Sequence, residues 1–509
     1  MSSTSIPPIT SLKLSFDDMS TDSFLKSRGK RVPKPVGWGM ALATMALAPP
    51  SMLLLSPIIA ISQLQNKFKS TPPPVPCLIP EDLATIPTPI PLEDREYDII
   101  VLGATGFTGD LALQYLMSTY ATSGLKIAIA GRNVNKLADK LVNAAGITGC
   151  PKSFTDTIGT IVVDTSSPDQ IKAMCNQGRV VMTTVGPFAI IGTGVVESCA
   201  LTGTHYCDIT GETGWVRENT LLLSAAAAQT GAKIVSLCGH DSIPWDLSFN
   251  QLARAFPEGE NVASVTIGDD IVGAVSGGTV ATLIHAFEGK ASRDLSRNAW
   301  FKGDPMGFVG GKTASLNKTK NTFPFNPFAP FQSPFDKNSR LGFFLMSTVN
   351  GDAIKRGVAV NSLGLAGQSI AYREGKSAPD WKSAVVSTLI QYLSLAVVAA
   401  TPIRNMLMGG MVPSPGQGPT LKQQATGYLR VLGEAVGDKG TVVKSCMYFD
   451  VDPGYKDTSR MLAESAMTLK EGGAGGVGGG VYTPGAAMPD MLLERLCATG
   501  TQFAIKVEK

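Results

Sequence analysis

The chain is predicted to be an α/β protein: a doubly wound parallel sheet, a second α/β domain after it, and an apolar extension before it. Three observations carry that reading. Short apolar strands alternate with helical segments between Tyr97 and Gly239, as in parallel α/β sheets. Gly103, Gly106 and Gly109 punctuate the first strand-to-helix turn. From Pro35 to Asn66 there is no charged side chain.

Residues 1–35 are rich in Ser, Thr and Pro, carry the basic cluster Lys26, Arg28, Lys30, Arg31 and Lys34, and are expected to be flexible. Asp17, Asp18 and Asp22 argue against an organelle transit peptide, and the apolar run starts too far in for a secretory signal. Residues 36–66 are expected to contact a membrane. Pro49-Pro50 falls mid-run and removes two amide donors, so two half-helices folded back as a hairpin fit better than one span. A hairpin keeps both flanks on the cytosolic side, a kinked span separates them, and a helical pair packed on the protein itself is the alternative. Residues 67–95, KFKSTPPPVPCLIPEDLATIPTPIPLEDR with its neighbours, form a proline-rich linker expected to be extended and stiff.

Residues 96–245 carry the nucleotide-binding signal. YDIIVLGATGFTGDLALQYL is an apolar strand, a glycine turn and a helix with Ala112, Leu113 and Leu116 on one face. Gly103 permits the tight turn, Gly106 lets backbone approach a pyrophosphate, and Gly109 lets helix and sheet pack closely. Thr105, Phe107 and Thr108 complete the turn, and the phosphates belong on the amides of the helix N-terminus. The second strand ends in Gly131-Arg132 with no acidic residue beside it. A cation there holds a 2′-phosphate, so the Rossmann unit is predicted to take NADP(H) in preference to NAD. A solvated arginine at the sheet edge is the plainer reading of Arg132. Further strands are expected at 160–164, 179–186, 205–210 and 233–239. Asp164 then lies at the adenine end of the crevice and Thr184, Val185, Gly186 and Pro187 at the nicotinamide end, unless the last four are only a Gly-Pro turn.

Residues 246–455 are expected to form the substrate domain around an antiparallel sheet that includes VASVTIGDDIV (262–272) and GTVVKSCMYFDV (440–451). TFPFNPFAPFQSPF (322–335) is a phenylalanine loop that covers an apolar site, touches lipid, or packs on its own core. SAVVSTLIQYLSLAVVAATPI (383–403) is long enough to span but contains Ser, Thr and Gln, and reads as a buried or interfacial helix in preference to a span. Residues 456–509 supply C-terminal helices and a strand returning to the core. GGAGGVGGG (472–480) contains a formal G-x-G-x-x-G but opens no apolar helix, so it is read as a flexible loop.

A net charge of +3 gives no electrostatic footprint for nucleic acid. Eight scattered cysteines without C-x-x-C pairs read as reduced thiols, and three histidines with no ligand spacing predict no metal site. A homodimer is compatible with the sequence.

VLGATGFTGDLALQYL, IAGRNVNKL, TTVGPFAIIGTGVVESCALTGTHYCDITGE, CGHDSIPWDL and VDPGYKDTSRMLAESAMTL resemble the saccharopine dehydrogenase-like oxidoreductases over about 95–509. The chain looks closer to the membrane- and lipid-droplet-associated and trans-acting enoyl reductase branches than to the lysine-pathway enzymes. The resemblance implies a second domain inserted before a returning C-terminal helix. Where the family carries an aromatic residue before Asp-Ser-Ile-Pro, this chain has His240.

Hydride transfer to an enoyl or carbonyl group needs orientation and a proton donor near the developing charge. The candidates are His240 and Asp241 after the sixth strand and Tyr206 and Asp208 in the fifth, with Thr210 and Glu212 beyond it. Asp241 equally suits an N-cap of the following helix, and His205 suits a satisfied core histidine. The expected function is NADPH-dependent reduction of a hydrophobic acyl or lipid intermediate, as in glycolipid biosynthesis. The site of action would be the cytosolic face of a lipid droplet, endoplasmic reticulum, mitochondrial or plastid membrane. A non-catalytic NADP-binding scaffold and a saccharopine dehydrogenase are the alternatives.

Overall fold

The computed structural model describes residues 14–68, 77–273, 315–317, 330–360, 365, 369–402, 420–473 and 477–508. Two sheets share one interior. The first is seven-stranded and wholly parallel, with β1 (Tyr97–Leu102), β2 (Ile127–Gly131), β3 (Gly159–Val162), β4 (Gly178–Thr183), β5 (His205–Asp208), β6 (Lys233–Val235) and, from the C-terminal region, β14 (Gly480–Tyr482). Their order is β14-β6-β5-β4-β1-β2-β3. Ile99 to Leu102 are buried on both faces, which is why β1 reads as an unbroken apolar run instead of an alternation. Helices α4 (Phe107–Tyr120) and α5 (Val134–Thr148) cover one face together with α12 (Thr458–Lys470). Helices α6 (Pro168–Cys175), α7 (Thr193–Thr202) and α8 (Thr213–Thr230) cover the other.

The second sheet has eight strands: β7 (Val262–Val272), β8 (Ser315–Asn317), β9 (Phe331–Gln332), β10 (Arg340–Gly342), β11 (Ser369–Ala378), β12 (Tyr428–Gly437), β13 (Val442–Phe449) and β15 (Gln502–Glu508). It is mixed, not purely antiparallel, because β11 pairs parallel to β7 and to β8. Its inner face presents Val265, Ile267, Leu429 and Val431 to α9 (Ile243–Arg254), which lies between the sheets with Trp245 and Phe249 almost wholly buried. Helix α10 (Ser347–Ala359) flanks α9, α11 (Trp381–Ala399) follows β11, and α13 (Pro489–Ala498) packs on α12.

Three expectations need correction. The N-terminal segment is ordered from Leu14. Its helices α1 (Phe16–Met19) and α2 (Asp22–Ser27) bury Phe16, Met19, Phe24 and Leu25 on the outer face of the second sheet, against Tyr428, Leu432, Cys446 and Tyr448. Local composition gave no hint of this, because the segment's apolar residues find their partners more than 400 positions away. The proposed hairpin is one continuous helix, α3 (Trp38–Phe68), with Pro49, Pro50 and Pro57 inside it. A neighbouring side chain relieves one proline: Ser56 Oγ donates to the Leu53 carbonyl, which Pro57 has no amide to reach. The linker is docked over 77–95, where Ile79 and Ile86 join the core and buried Arg95 donates to the carbonyls of Ile90, Cys175, Gly178 and Thr202. The glycine-rich segment ends by opening β14 at Gly480. Residues 322–329 of the phenylalanine loop lie outside the described residues.

Candidate functional site

The strand order reverses between β1 and β4, and an α/β sheet of this kind binds ligands in the crevice at that switch. The glycine turn lies there. Gly103 has φ +96°, and a Cβ on it would meet Val185 Cγ2 at 2.6 Å and Thr184 Oγ1 at 2.9 Å, so the turn and the end of β4 interlock. A Cβ on Gly109 would strike the Gly103 carbonyl oxygen; only hydrogen lets the first turn of α4 sit on β1. Gly106 is the N-cap of α4 and offers no side chain to the helix amides. Thr105 is exposed, and Gly106, Phe107 and Thr108 are partly so. An uncapped helix start with open glycine backbone fits a pyrophosphate.

Arg132 is exposed just beyond β2, and Asn133 caps α5 by accepting from the Lys136 amide at 3.0 Å. Asp164 is exposed beyond β3. It accepts from Ser166, which together with nearby Arg132 holds its carboxyl below the usual range. The two exposed side chains stand just beyond the C-terminal ends of the neighbouring strands β2 and β3. At the other end Val185, Gly186 and Pro187 lead into a π-helical turn whose Phe188 and Ala189 amides donate to Glu212 at 2.9 Å each. Glu212 is a structural clamp there.

The four predicted acid–base residues divide. Tyr206 is 0% exposed and packs in the α7–α8 layer. Asp208 accepts from the Thr210 and Leu237 amides and from Ser236 Oγ, tying the ends of β5 and β6 together. His205 is the core histidine expected: its Nδ1 accepts from the Lys233 amide at 3.2 Å. His240 and Asp241 are different. The His240 amide donates to Thr458 Oγ1 at 3.1 Å, its ring meets Trp245 edge-on at 5.3 Å, and Nδ1 has no partner among the described residues. Burial pulls its pKa down to about 3, so the ring is neutral. Asp241 does not cap α9, whose N-cap is Ser242. It is partly buried, makes no hydrogen bond among the described residues, and burial pushes its pKa up to about 6.

Sequence reasoning missed the C-terminal closure of the crevice. Ser459 Oγ donates to the Thr108 carbonyl at 3.1 Å, Tyr455 meets Phe107 edge-on at 5.6 Å, and Thr458 holds His240. One segment thus touches the glycine turn and the sixth strand's exit. The Asp452-Pro453 start signal of that turn was visible, but not what it would contact. Also missed were acids on the inner face of the second sheet. Glu374 accepts from Tyr372 Oη at 2.6 Å and Asn350 Nδ2 at 2.7 Å, and burial raises its pKa to about 7. Asp269 is wholly buried with neither carboxyl oxygen bonded among the described residues, one strand from Lys376.

Residues 99–235 match the saccharopine dehydrogenase NADP binding domain. A putative trans-acting enoyl reductase of Mycobacterium tuberculosis is 32% identical over 432 residues, which cover 80% of this chain and 97% of the relative. The trans-acting enoyl reductase of Mycobacterium leprae is 31% identical over 429 residues, with the same coverage. Among solved structures, apo saccharopine dehydrogenase (L-Glu forming) from Saccharomyces cerevisiae is similar, with a TM-score of 0.44 at 11% identity, covering 81% of this chain and all of that one. The family match establishes that the domain binds NADP(H).

Proposed function

The chain belongs to the saccharopine dehydrogenase-like oxidoreductase family, and on that premise we propose that it reduces a hydrophobic enoyl-lipid intermediate with NADPH at a membrane surface, possession of an acyl chain destined for glycolipid being one such case. NADPH supplies the hydride, and the glycine turn, Arg132, Asp164 and Thr184–Pro187 hold it. Saturating a carbon–carbon double bond then requires one proton at the carbon next to the carbonyl. Asp241 supplies it: a carboxyl raised to about 6 carries a proton over part of the neutral range and is bound to no structural partner. Neutral His240, held through its amide by Thr458 and edge-on to Trp245, packs next to Asp241 in the chain and fixes the backbone that carries it. The observation that carries the reading is this free acid at the exit of β6, where Asp208 is fully committed to the fold. The apolar helix α3 supports a lipid substrate.

The test is NADPH oxidation by the full chain with a panel of enoyl and keto lipids, and with saccharopine as the competing substrate. Asp241→Asn is expected to lower kcat by about 100-fold or more while leaving NADPH affinity unchanged. Turnover of saccharopine, or of nothing despite tight NADPH binding, overturns the proposal.

A further inference from the structure

The buried positions of α3 recur every seven residues: Ala41, Ala48, Leu55 and Ser62. Ala48, flanked by Met45 and Met52, packs against Val385 and Leu389 of α11. The side of α3 away from α11 is open, with Trp38 62%, Leu47 67%, Leu53 73% and Leu54 75% exposed, and Ile390 of α11 is 52% exposed. So large an apolar surface on a folded protein calls for an apolar partner. The 25 residues from Trp38 to Ser62 are long enough to cross a bilayer, about 37 Å at 1.5 Å per residue.

Topology forbids the crossing. Upstream, Lys30 Nζ is bound by the carbonyls of Gly427 and Asp450, Arg430 donates to the carbonyls of Ser20 and Thr21, and the Val36 amide donates to Ser383 Oγ. Downstream, the Leu78 amide donates to Glu197 and Arg95 is locked under the first sheet. Both ends of α3 therefore belong to one folded body. The residues between Phe68 and Cys77 are KSTPPPVP, far short of the ~20 needed for a returning helix. Helix α11 is bound in the same way, since β11 before it and β12 after it both pair with β7.

We propose that α3 and α11 enter one leaflet of an anionic phospholipid bilayer together, as a two-helix wedge inserted from one side with every other part of the chain remaining on that side. The entry level is marked. Trp38 and Trp381, 62% and 40% exposed, stand at the starts of the two helices, with Lys382 Nζ 4.6 Å from the Trp38 ring centroid. Tryptophan and lysine collect at the headgroup level, and exposed Arg31 and Lys34 just upstream favour anionic lipid. The wedge rests on the membrane reading of the proposed function and fixes its geometry.

The full chain, tagged at its N-terminus, in the Ser123–Gly124 turn and at its C-terminus, is synthesised with phosphatidylcholine/phosphatidylserine vesicles, floated, and treated with external protease. Flotation with all three tags cleaved is expected. Leu54→Arg and Ile390→Arg should each abolish flotation without changing thermal unfolding, and vesicles of phosphatidylcholine alone should bind on the order of ten-fold more weakly or less. Flotation with any tag protected overturns the one-sided wedge but leaves membrane association standing. Loss in Leu54→Arg but not Ile390→Arg removes α11 from it, and flotation only with triacylglycerol droplets overturns the bilayer. No flotation at all overturns both the wedge and the membrane reading, while NADPH turnover is scored separately.

Discussion

Substituting the three glycines of the nucleotide turn one at a time separates packing from ligand contact. Gly109→Ala places a methyl group against the Gly103 carbonyl, with the carbonyl carbon and Thr184 Oγ1 both at 2.8 Å. The carbonyl cannot retreat, because the Gly103 amide donates to Ala130 and its oxygen accepts from the Gly106 amide at 2.9 Å. Helix α4 must therefore lift by on the order of 1 Å, a small-to-large change that costs about 1–3 kcal/mol. Misplacing the helix amides should weaken NADPH by a similar energy, roughly 5- to 150-fold. Gly103→Ala should be worse, because φ +96° is strained for any Cβ and the same site meets Val185. Gly106→Ala should behave differently. Its φ is −80°, and its Cβ meets only the Gly103 carbonyl oxygen, at 3.3 Å, so thermal unfolding should hardly move while the methyl group obstructs the pyrophosphate. NADPH fluorescence titration and differential scanning fluorimetry on the three variants give six readouts. If Gly109→Ala keeps wild-type affinity and Tm, or Gly106→Ala loses both equally, the assignment of packing to one glycine and ligand approach to the other is wrong.

Removing the Arg132 guanidinium by Arg132→Ala should weaken NADPH by roughly 10- to 100-fold and leave NADH almost unchanged; equal losses for both cofactors refute a 2′-phosphate contact. Glu374 has its pKa raised to about 7 by burial, so its native form prefers the proton. Its stabilisation is complete below about pH 4 and is lost as pH rises towards 7, by up to about 3 kcal/mol. Urea midpoints at pH 5 and pH 7.5 should thus diverge more in the wild type than in Glu374→Gln, and parallel shifts would refute it. Phe24, edge-on to Tyr448 at 4.9 Å, should cost about 3 kcal/mol or more when replaced by alanine, lowering the unfolding temperature; an unchanged Tm would mean the N-terminal segment is not packed in solution.

The nucleotide fold was legible because its signals are local. Apolar runs bounded by glycine located β1 and β2, and the spacing of 103, 106 and 109 located the turn. The rest depended on partners distant in sequence. Asp269 and Asp270 are adjacent, yet pleating sends one to the inner face with no hydrogen bond to its carboxyl among the described residues and the other outward to Arg430 and Tyr428; no reading of VTIGDDIV distinguishes them before the strand's register is known. Phe16, Met19, Phe24 and Leu25 lie amid polar residues, and only the sheet face they cover explains them. Pro49 and Pro50 read locally as helix breakers, but contacts with α11 hold the helix together across them.

Asp208 and Asp241 illustrate why an ionisation constant alone does not identify a catalytic acid. Both are pushed to about 6 by burial, so a rate profile bending near pH 6 would fit either. Their surroundings differ. Asp208 holds three donors that join the ends of β5 and β6, including the Leu237 amide at a residue with φ +67°; Asp241 holds none among the described residues. Asp208→Asn replaces one acceptor oxygen with a donor facing other donors, which should destabilise the fold by about 1–3 kcal/mol while the folded fraction keeps its kcat. Asp241→Asn should not destabilise the fold, should stabilise it above pH 6 by up to about 3 kcal/mol because no buried carboxylate then ionises, and should remove the decline in kcat as pH rises past 6, because the acid whose loss causes it is gone. Measuring unfolding and the pH–rate profile on both variants decides the matter. A kcat lost in Asp208→Asn at full folding would move the proton donor into β5 and take Asp241 out of the mechanism.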